Sequence, residues 1–293
     1  MPLWNPSSSD NDLKFWVRGN GQRTVSGTDI IALYDESGNN THLNVVGTDA
    51  NDTDPQTGEF INNIPAWKFT PHSGGAEGSC LFADASANIL ESGVNDLQVT
   101  IVCKHGTTSG TDCLMAEFVF GNAITILRRS SDIRVTTPDG NLEFGSVTTN
   151  TTIIQLEYDD TETDLIGYQD APNSGTTKAN IEDISGADNR QFVLGREGSP
   201  DGSNSNRAYD GLIAEIIVYH GSPNMTFDRE LNEGYVAHKY NVTVTGSTHA
   251  YKDGPPTACH CVAKQTLSTT LLSASVKNPA DLQQGLNVFD ERR

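Results

Sequence analysis

The chain has 293 residues, of which 35% are hydrophobic and 19% are charged, and this length can bury the core of one large domain. Its 38 acidic residues against 19 basic ones give a formal charge of −19, and a surface of that sign repels nucleic acid. No stretch approaches the ~20 apolar residues of a membrane span, and the N-terminal residues lack the features of a signal peptide, so we expect neither membrane insertion nor the general secretory route.

Short apolar runs separated by polar turns begin near the N-terminus and predict β-strands. In this part of the chain the predicted strands cover residues 13–17, 30–34, 66–69 and 97–103. An acidic stretch at 47–58 carries no apolar periodicity and predicts a long loop.

The middle of the chain contains three predicted hairpins and a further strand. The hairpins pair 113–120 with 123–127, 133–135 with 142–144, and 153–158 with 165–168, and the strand covers 192–195. A loop rich in Gly, Ser and Asn follows at 198–206. Turn signals recur about every 8–12 residues, which is typical of a β-sandwich or jelly roll rather than of βαβ units.

The stretch 211–240 joins a buried strand to one amphipathic helix. Its first part is almost continuously apolar, as in a strand that is covered on both faces. Its second part places Phe227, Leu231 and Tyr235 on one helical face, and Asn241 can adopt the left-handed conformation that ends a helix. The pattern therefore predicts an all-β chain with one short C-terminal helix.

Several short motifs occur along the chain in a characteristic order. They include Leu13–Arg18 (LKFWVR), Tyr34–Asn39 (YDESGN) and the strand and helix of 211–240. Further motifs are Trp4-Asn5-Pro6, Pro65–Phe69, Phe192–Arg196 and His249–Lys252 with Pro255-Pro256. Together they resemble the concanavalin A-like lectin/glucanase superfamily, in its laminin-G-like branch common in marine bacteria and their phages. Arg18 and His220 depart from the family pattern, which has acidic residues at both positions.

The resemblance covers about residues 4–256 and implies a specific architecture. We expect residues 1–256 to form a two-sheet antiparallel jelly-roll sandwich of the concanavalin A-like type, with the helix closing one end. Residues 257–293 have few aromatics but keep apolar residues such as Leu267, Leu271 and Leu272. This appended segment is a docking arm or a flexible tail, and its apolar content favours the arm.

One acidic motif resembles the catalytic pattern E-x-D-x-x-E of laminarinase-type glucanases. It consists of Glu157, Asp159 and Glu162. A retaining glycosidase needs two carboxyl groups about 5–5.5 Å apart on one face of a cleft. Here the residues Asp159 to Thr163 have the pattern of a hairpin turn, so we interpret these acids as solvated turn residues and keep catalysis as a remote alternative.

Two further groups of residues are candidates for ligands. Lectin sites combine a stacking aromatic with Asn and Asp hydrogen bonds, and the loops at one rim of the sandwich offer such residues. The candidate sugar ligands are Tyr168, Asn204, Asn206, Arg207, Tyr209 and Asp210. Calcium prefers six to eight oxygen ligands, and the densest acidic cluster supplies weak candidates for it. These calcium candidates are Asp49, Asn51, Asp52 and Asp54.

The five cysteines predict reduced, structural side chains rather than a metal site. Cys103 and Cys113 could face each other across a hairpin. Cys259-His260-Cys261 lacks the second ligand pair of a zinc site.

The expected function combines the resemblance with the composition. We expect a non-enzymatic virion surface protein of a phage, assembled in the host cytoplasm, that serves in capsid decoration or as a fibre or spike. Its partners would be other virion proteins, bound through 257–293, and a cell-surface glycan, and homo-oligomerisation is expected by analogy with displayed jelly rolls. The alternatives are a bacterial carbohydrate-binding module and, more remotely, a glycoside hydrolase.

Overall fold

The structure is a computed structural model that describes most of the residues before 258. The described residues are 4–8, 13–45, 54–71, 78–83, 89–90, 96–119, 122–159, 162–181, 191–197, 207–221 and 225–257. Residues 5–255 form one compact unit, and Trp4, Pro256 and Thr257 belong to a second. Within that second unit the Trp4 N–H donates to the Pro256 carbonyl at 3.0 Å. The predicted boundary between 1–256 and 257–293 stays a prediction.

The secondary structure consists of strands, a short 3-10 turn at Pro6–Ser8 and one α-helix. The strands are β1 (Leu13–Arg18), β2 (Arg23–Ser26), β3 (Asp29–Leu33), β4 (Leu43–Asn44), β5 (Gln56–Ile61), β6 (Ile64–Phe69), β7 (Leu81–Phe82), β8 (Leu97–His105), β9 (Asp112–Val119), β10 (Asn122–Arg128), β11 (Ile133–Thr137), β12 (Gly140–Phe144), β13 (Thr151–Asp159), β14 (Asp164–Gln169), β15 (Thr176–Lys178), β16 (Gln191–Leu194) and β17 (Gly211–His220). The helix is α1 (Met225–Tyr240). Neither α1 nor any other part of the described chain forms a helix that is long and apolar enough to cross a membrane.

The strands form two antiparallel layers, as the sequence predicts. One layer has the order β1–β17–β8–β13–β14–β15, and β6 pairs with the first residues of β17. The other has the order β2–β3–β4–β7–β16–β9–β10–β11–β12. Strand β5 links the layers because it pairs with both β6 and β3. The all-β jelly-roll prediction is confirmed, including the three hairpins β9–β10, β11–β12 and β13–β14.

The hydrophobic core lies between the two layers. Strands such as β11 bury alternate residues in it, which is the period-two pattern of a sheet with one face inward. Phe15 of the first layer and Phe192 of the second meet there, with ring centroids 5.8 Å apart. Val99 and Ile216 are fully buried in the same cluster. Burying side chains of this size contributes about 1.5–3 kcal/mol each.

Helix α1 covers the outer face of the first layer rather than closing one end of the sandwich. Val236 and Tyr240 of the helix pack in one cluster with Ile217, Val102 and Ile153 of the strands beneath. The prediction of an end cap was wrong because β8, β13 and β17 carry apolar residues on both faces, so a second layer must cover the outer one. The side chain of the predicted face residue Phe227 lies outside the described set.

Buried polar contacts also join the helix to the sheet. The carboxylate of Glu215, which is fully buried in β17, accepts hydrogen bonds from Trp16 Nε1 at 2.8 Å, Lys239 Nζ at 2.7 Å and Tyr235 Oη at 3.2 Å. Beside them Asn232 Nδ2 donates to Gln98 Oε1 at 2.7 Å. Such groups are costly to bury unless they are hydrogen-bonded, so these contacts fix the position of the helix.

The end of α1 has the geometry that the sequence predicts. Asn241 has a left-handed φ of 51°, and the Val242 N–H donates to the Ala237 carbonyl at 2.9 Å. This six-to-one hydrogen bond defines a Schellman motif, which turns the chain sharply away from the helix axis.

The cysteines that the structure describes are buried, and the acidic loop is shorter than its composition predicts. Cys80, Cys103 and Cys113 are buried, the thiols of Cys103 and Cys113 are free, and burial raises the pKa of Cys103 to about 12. Cys259 and Cys261 lie outside the described residues. The predicted loop 47–58 was too long, because Gln56 to Gly58 belong to β5, in which Gln56 pairs with Asp29 of β3 and Lys68 of β6.

Loss of the cation beside Glu215 should weaken the docking of α1. We expect Lys239→Met to lower the free energy of unfolding by about 2–3 kcal/mol, because it leaves a buried carboxylate without its charged partner. The double variant Glu215→Gln/Lys239→Met should recover part of this loss, and Lys178→Met on the exposed strand β15 should change stability by less than about 0.5 kcal/mol. Urea denaturation measures all three, and an unchanged Lys239→Met variant would show that the ion pair does not hold the helix.

Candidate functional site

The structure places Glu157 beneath α1 and not in a solvated turn. Its side chain lies on β13 with 6% of its area exposed. Tyr168 Oη donates to the carboxylate at 2.6 Å, Gln98 Nε2 donates at 3.3 Å, and the guanidinium of Arg229 is 3.8 Å away. Burial raises the pKa of Glu157, and these partners oppose the shift. The interpretation of Glu157 as a solvated acid was wrong because α1 covers the face of β13 on which Glu157 lies.

The other two acids of the motif do occupy the predicted hairpin turn. Asp159 ends β13, and its Oδ1 accepts the Glu162 N–H at 3.0 Å. Glu162 is exposed. Because Glu157 is covered by the helix and Glu162 faces solvent, the motif offers no pair of carboxylates on a shared cleft.

The predicted sugar ligands are not brought together as one set. Tyr168 lies beneath α1, with the Arg229 guanidinium carbon 4.3 Å from its ring centre. Tyr209 is fully buried two residues before β17, and Arg207 forms an ion pair with Glu197 at 3.0 Å. Asn204 and Asn206 lie outside the described residues, and Asp210 lines a small open cleft. The six-residue set stays a prediction.

The predicted calcium ligands lie mostly outside the described part of the chain. Asp49, Asn51 and Asp52 are not described, and Asp54 is half-buried. Among the described residues no three His, Cys, Asp or Glu side chains are close enough to hold a metal ion. Calcium at this loop stays a prediction.

A polar cleft of about 630 Å³ lies beside the C-terminal end of α1. Its walls come from the end of β8, the start of β13 with the turn before it, the end of β14, the segment after the helix, and Asn62 in the turn between β5 and β6. Its lining residues are Asn62, Lys104, Ser146, Thr148, Thr149, Asn150, Thr151, Gln169, Asp170, Asn241, Val242, Thr243 and Thr245. Almost all of them carry amide, hydroxyl or charged groups.

Reciprocal hydrogen bonds hold the walls of this cleft in place. Gln169 Oε1 accepts the Ser146 N–H at 2.6 Å, and Gln169 Nε2 donates to the Ser146 carbonyl at 2.8 Å. Asp170 Oδ1 accepts the Ile153 N–H at 2.9 Å, while the N–H and hydroxyl of Thr245 both donate to the Asp170 carbonyl. Burial raises the pKa of Asp170. The cleft is therefore preorganised.

Several wall residues have backbone conformations that side chains rarely adopt. Asn62, Asp170 and Asn241 have φ values of 48°, 55° and 51°, and Ala171 follows with 52°. Asn and Asp tolerate this left-handed region, whereas it costs alanine of order 1 kcal/mol. Strain of this kind concentrates at binding sites, where surrounding contacts enforce it.

A smaller cleft of about 200 Å³ shares Lys104 with the large one. Asp210, His105 and Lys68 also line it. His105 Nδ1 is 3.0 Å from Tyr209 Oη, so a hydrogen bond to the buried tyrosine orients the imidazole ring. Burial and then the charge of Arg128 lower the pKa of His105 to about 4.

The large cleft could not be found from one segment of sequence. Its residues come from positions as far apart as Asn62 and Thr245, which the fold brings together. Two sequence signals do fall on it, namely the Asn-Thr-Thr and Asn-Val-Thr triplets that begin at Asn150 and Asn241. Asn/Thr-rich turns are common in β-proteins, so these signals carried no specific prediction.

Comparison with known proteins identifies the fold. No protein-family model and no curated protein matches the chain. The botulinum neurotoxin serotype D binding domain superposes with a TM-score of 0.52 at 11% identity, over 77% of this chain and 53% of that one. Domain 4 of a GH43 extracellular arabinanase from Geobacillus stearothermophilus, in complex with arabinotriose, gives 0.50 at 14% identity, over 75% of this chain and 98% of that domain.

A second neurotoxin structure gives the same result. The receptor binding domain of botulinum neurotoxin D has a TM-score of 0.51 at 10% identity, over 78% of this chain and 54% of that one. This chain thus spans about half the length of the neurotoxin domains that it matches. At these identities the likeness shows a shared all-β fold and no more.

The lowered pKa of His105 makes stability depend on pH. The folded state keeps this imidazole neutral down to a pH of about 4, whereas the unfolded chain binds a proton near 6.5, so stability is lost as the pH falls through this window. We expect this group to lower the free energy of unfolding by about 2 kcal/mol between pH 7 and pH 5.

Denaturation of the His105→Asn variant at both pH values isolates this contribution. The variant should lose about 2 kcal/mol less than the native chain between pH 7 and pH 5, because asparagine does not titrate. Equal losses in the two proteins would mean that the histidine is protonated in the folded state.

Proposed function

We propose that this chain is a non-enzymatic glycan-binding module displayed on the surface of a phage virion. The observation that carries the glycan-binding part is the polar cleft beside the end of α1. Its walls offer amide donors and acceptors and hydroxyl groups, held by hydrogen bonds and a constrained backbone. Saccharides carry many hydroxyl groups that both donate and accept, so a wall of this composition complements them.

The structural comparisons support this function by analogy. Domain 4 of the arabinanase has the same fold and was solved in complex with arabinotriose. The neurotoxin structure is that of a binding domain. Folds of this kind host many activities, so the argument for this chain rests on its own cleft.

The geometry of the acidic motif supports a module without catalysis. Glu157 is engaged by Tyr168 and Arg229 beneath the helix, and Glu162 lies in an exposed turn. A retaining or inverting glycosidase needs two carboxyl groups flanking one bond. The described residues of this motif do not supply such a pair.

The virion location rests on the family resemblance and the composition. Phage structural proteins commonly contain this branch of the superfamily, and the formal charge of −19 suits a displayed, soluble surface. In this proposal residues 257–293 bind capsid or tail proteins, copies of the chain associate with one another, and the particle assembles in the host cytoplasm.

A carbohydrate-binding module of a bacterial protein is the second candidate. The observation that favours it is the 98% coverage of the arabinanase domain, which shows that the shared fold can exist as one domain of a larger enzyme. Both candidates use the same cleft and differ in where the chain resides.

Removing two cleft side chains should abolish most glycan binding without unfolding the domain. We choose Asn150→Ala and Asn241→Gly, because glycine keeps the left-handed backbone at position 241. The loss of two hydrogen-bonding amides should weaken affinity by roughly tenfold or more. A glycan array followed by calorimetry measures this, with Asn141→Ala on the exposed face of β12 as the matched control. Unaltered affinity in the double variant would place the glycan elsewhere.

Particle composition separates the two candidate functions. If the chain is a virion protein, mass spectrometry of purified phage particles should detect it at a stoichiometric copy number, and cryo-EM should show the jelly roll on the surface. Its absence from particles would overturn the virion proposal and favour the bacterial module.

A further inference from the structure

Lys104 has an unmatched charge in an otherwise acidic protein. Most basic side chains that the structure describes form ion pairs, such as Arg18 with Glu36 at 2.6 Å. Lys104 is exposed and has no carboxylate within 4.0 Å among the described residues. Of the described residues that line the large cleft, Lys104 is the one with a basic side chain. A cation without a partner at a binding surface is available to an anionic ligand.

The strand register places a second lysine along the same groove. Lys68 of β6 and Lys104 of β8 pair with the same residue, Leu212 of β17. Because neighbouring strands lie about 4.8 Å apart, the two lysine backbones are roughly 10 Å apart on the outer face of the sheet. Lys68 lines the smaller cleft and contacts Glu59 at 3.7 Å, and such an exposed pair is worth only about 0–1 kcal/mol.

The described acidic groups that line the two clefts form no ion pair with the Lys104 ammonium group, which therefore can bind an anionic ligand. Asp170 is the carboxylate that lines the large cleft, and its Oδ1 is already engaged by the Ile153 N–H. Glu59 and Asp210 line the smaller cleft. The described lining of the large cleft therefore combines neutral hydrogen-bonding groups, one carboxylate that accepts a backbone N–H, and one cation without an ion-pair partner. Such an arrangement can discriminate charged from neutral saccharides.

We propose that this cleft selects saccharides that carry an anionic group, a carboxylate or a sulfate ester, and that Lys104 Nζ binds this group. The inference rests on the glycan-binding function proposed above and specifies its ligand class. The amide and hydroxyl groups of the cleft bind the sugar hydroxyls, and Lys104 supplies the charge-assisted hydrogen bond that a neutral sugar cannot accept as strongly. Lys104 is then the residue that determines specificity.

An array that contains each anionic oligosaccharide beside its neutral counterpart tests this inference with the full chain. The central pair is tetragalacturonate and its methyl ester, and a sulfated galactan tetrasaccharide with its desulfated form distinguishes the two anionic groups. Calorimetry at 0.15 M NaCl limits the long-range repulsion from the acidic surface, since the Debye length is then about 8 Å. The variants are Lys104→Met, Lys104→Arg and, as the control on β15, Lys178→Met.

We expect the native chain to bind at least one anionic ligand ten times or more as tightly as its neutral form. Lys104→Met should lose this preference, while Lys104→Arg and Lys178→Met should keep it. Equal affinity for charged and neutral partners, or an unchanged preference in Lys104→Met, would overturn the inference and leave the glycan-binding function standing. Binding to no saccharide at all would overturn both.

Discussion

The buried carboxylate of Glu215 is the contact on which the outer half of the molecule depends. It lies at the centre of β17 and receives donors from a neighbouring strand and from α1. A carboxylate in that position is unfavourable without its partners, so the helix must sit where Tyr235 and Lys239 reach it. This requirement fixes the position of the helix on the surface of the sheet. Val236 and Tyr240 supply the apolar contact between the helix and the sheet.

The position of the helix in turn creates the cleft. The Schellman motif after Tyr240 directs the chain across the outer ends of β8 and β13, where Thr245 bonds to Asp170. Gly234 permits the returning segment to pack closely, because a Cβ there would lie 2.5 Å from the Cβ of Tyr251. His238 Nε2 then meets the Tyr251 carbonyl at 2.7 Å. The cleft thus belongs to the fold itself and not to an added loop.

The sequence predicted the fold better than it predicted the site. Period-two patterns and turn residues located the hairpins and the long strands, since these signals are local. The helix was predicted with its C-terminal Asn241, but its position was wrong because an amphipathic pattern does not specify which surface it covers. Glu157 was misread for a related reason, since a polar residue in a strand looks solvated until the helix above it is known.

The cleft residues could not be predicted because each is unremarkable in its own segment. Asn62, Lys104 and Asn241 become neighbours only through long-range pairing and the direction of the chain after α1. Short strands such as β2 and β4 were also missed, since four and two residues carry too little pattern to stand out.

The polar contacts beneath α1 have a consequence for how such a chain changes over evolution. Gln98, Asn232 and Glu157 each bond to another member of one buried network, so a single replacement leaves a desolvated partner behind. We expect these positions to change in matched pairs, and therefore slowly. In the cleft, the wall side chains Gln169 and Thr245 bond to backbone atoms rather than to other side chains. Single replacements among the cleft side chains therefore strand no side-chain partner of these two residues, and ligand preference can diverge between descendants while the scaffold persists.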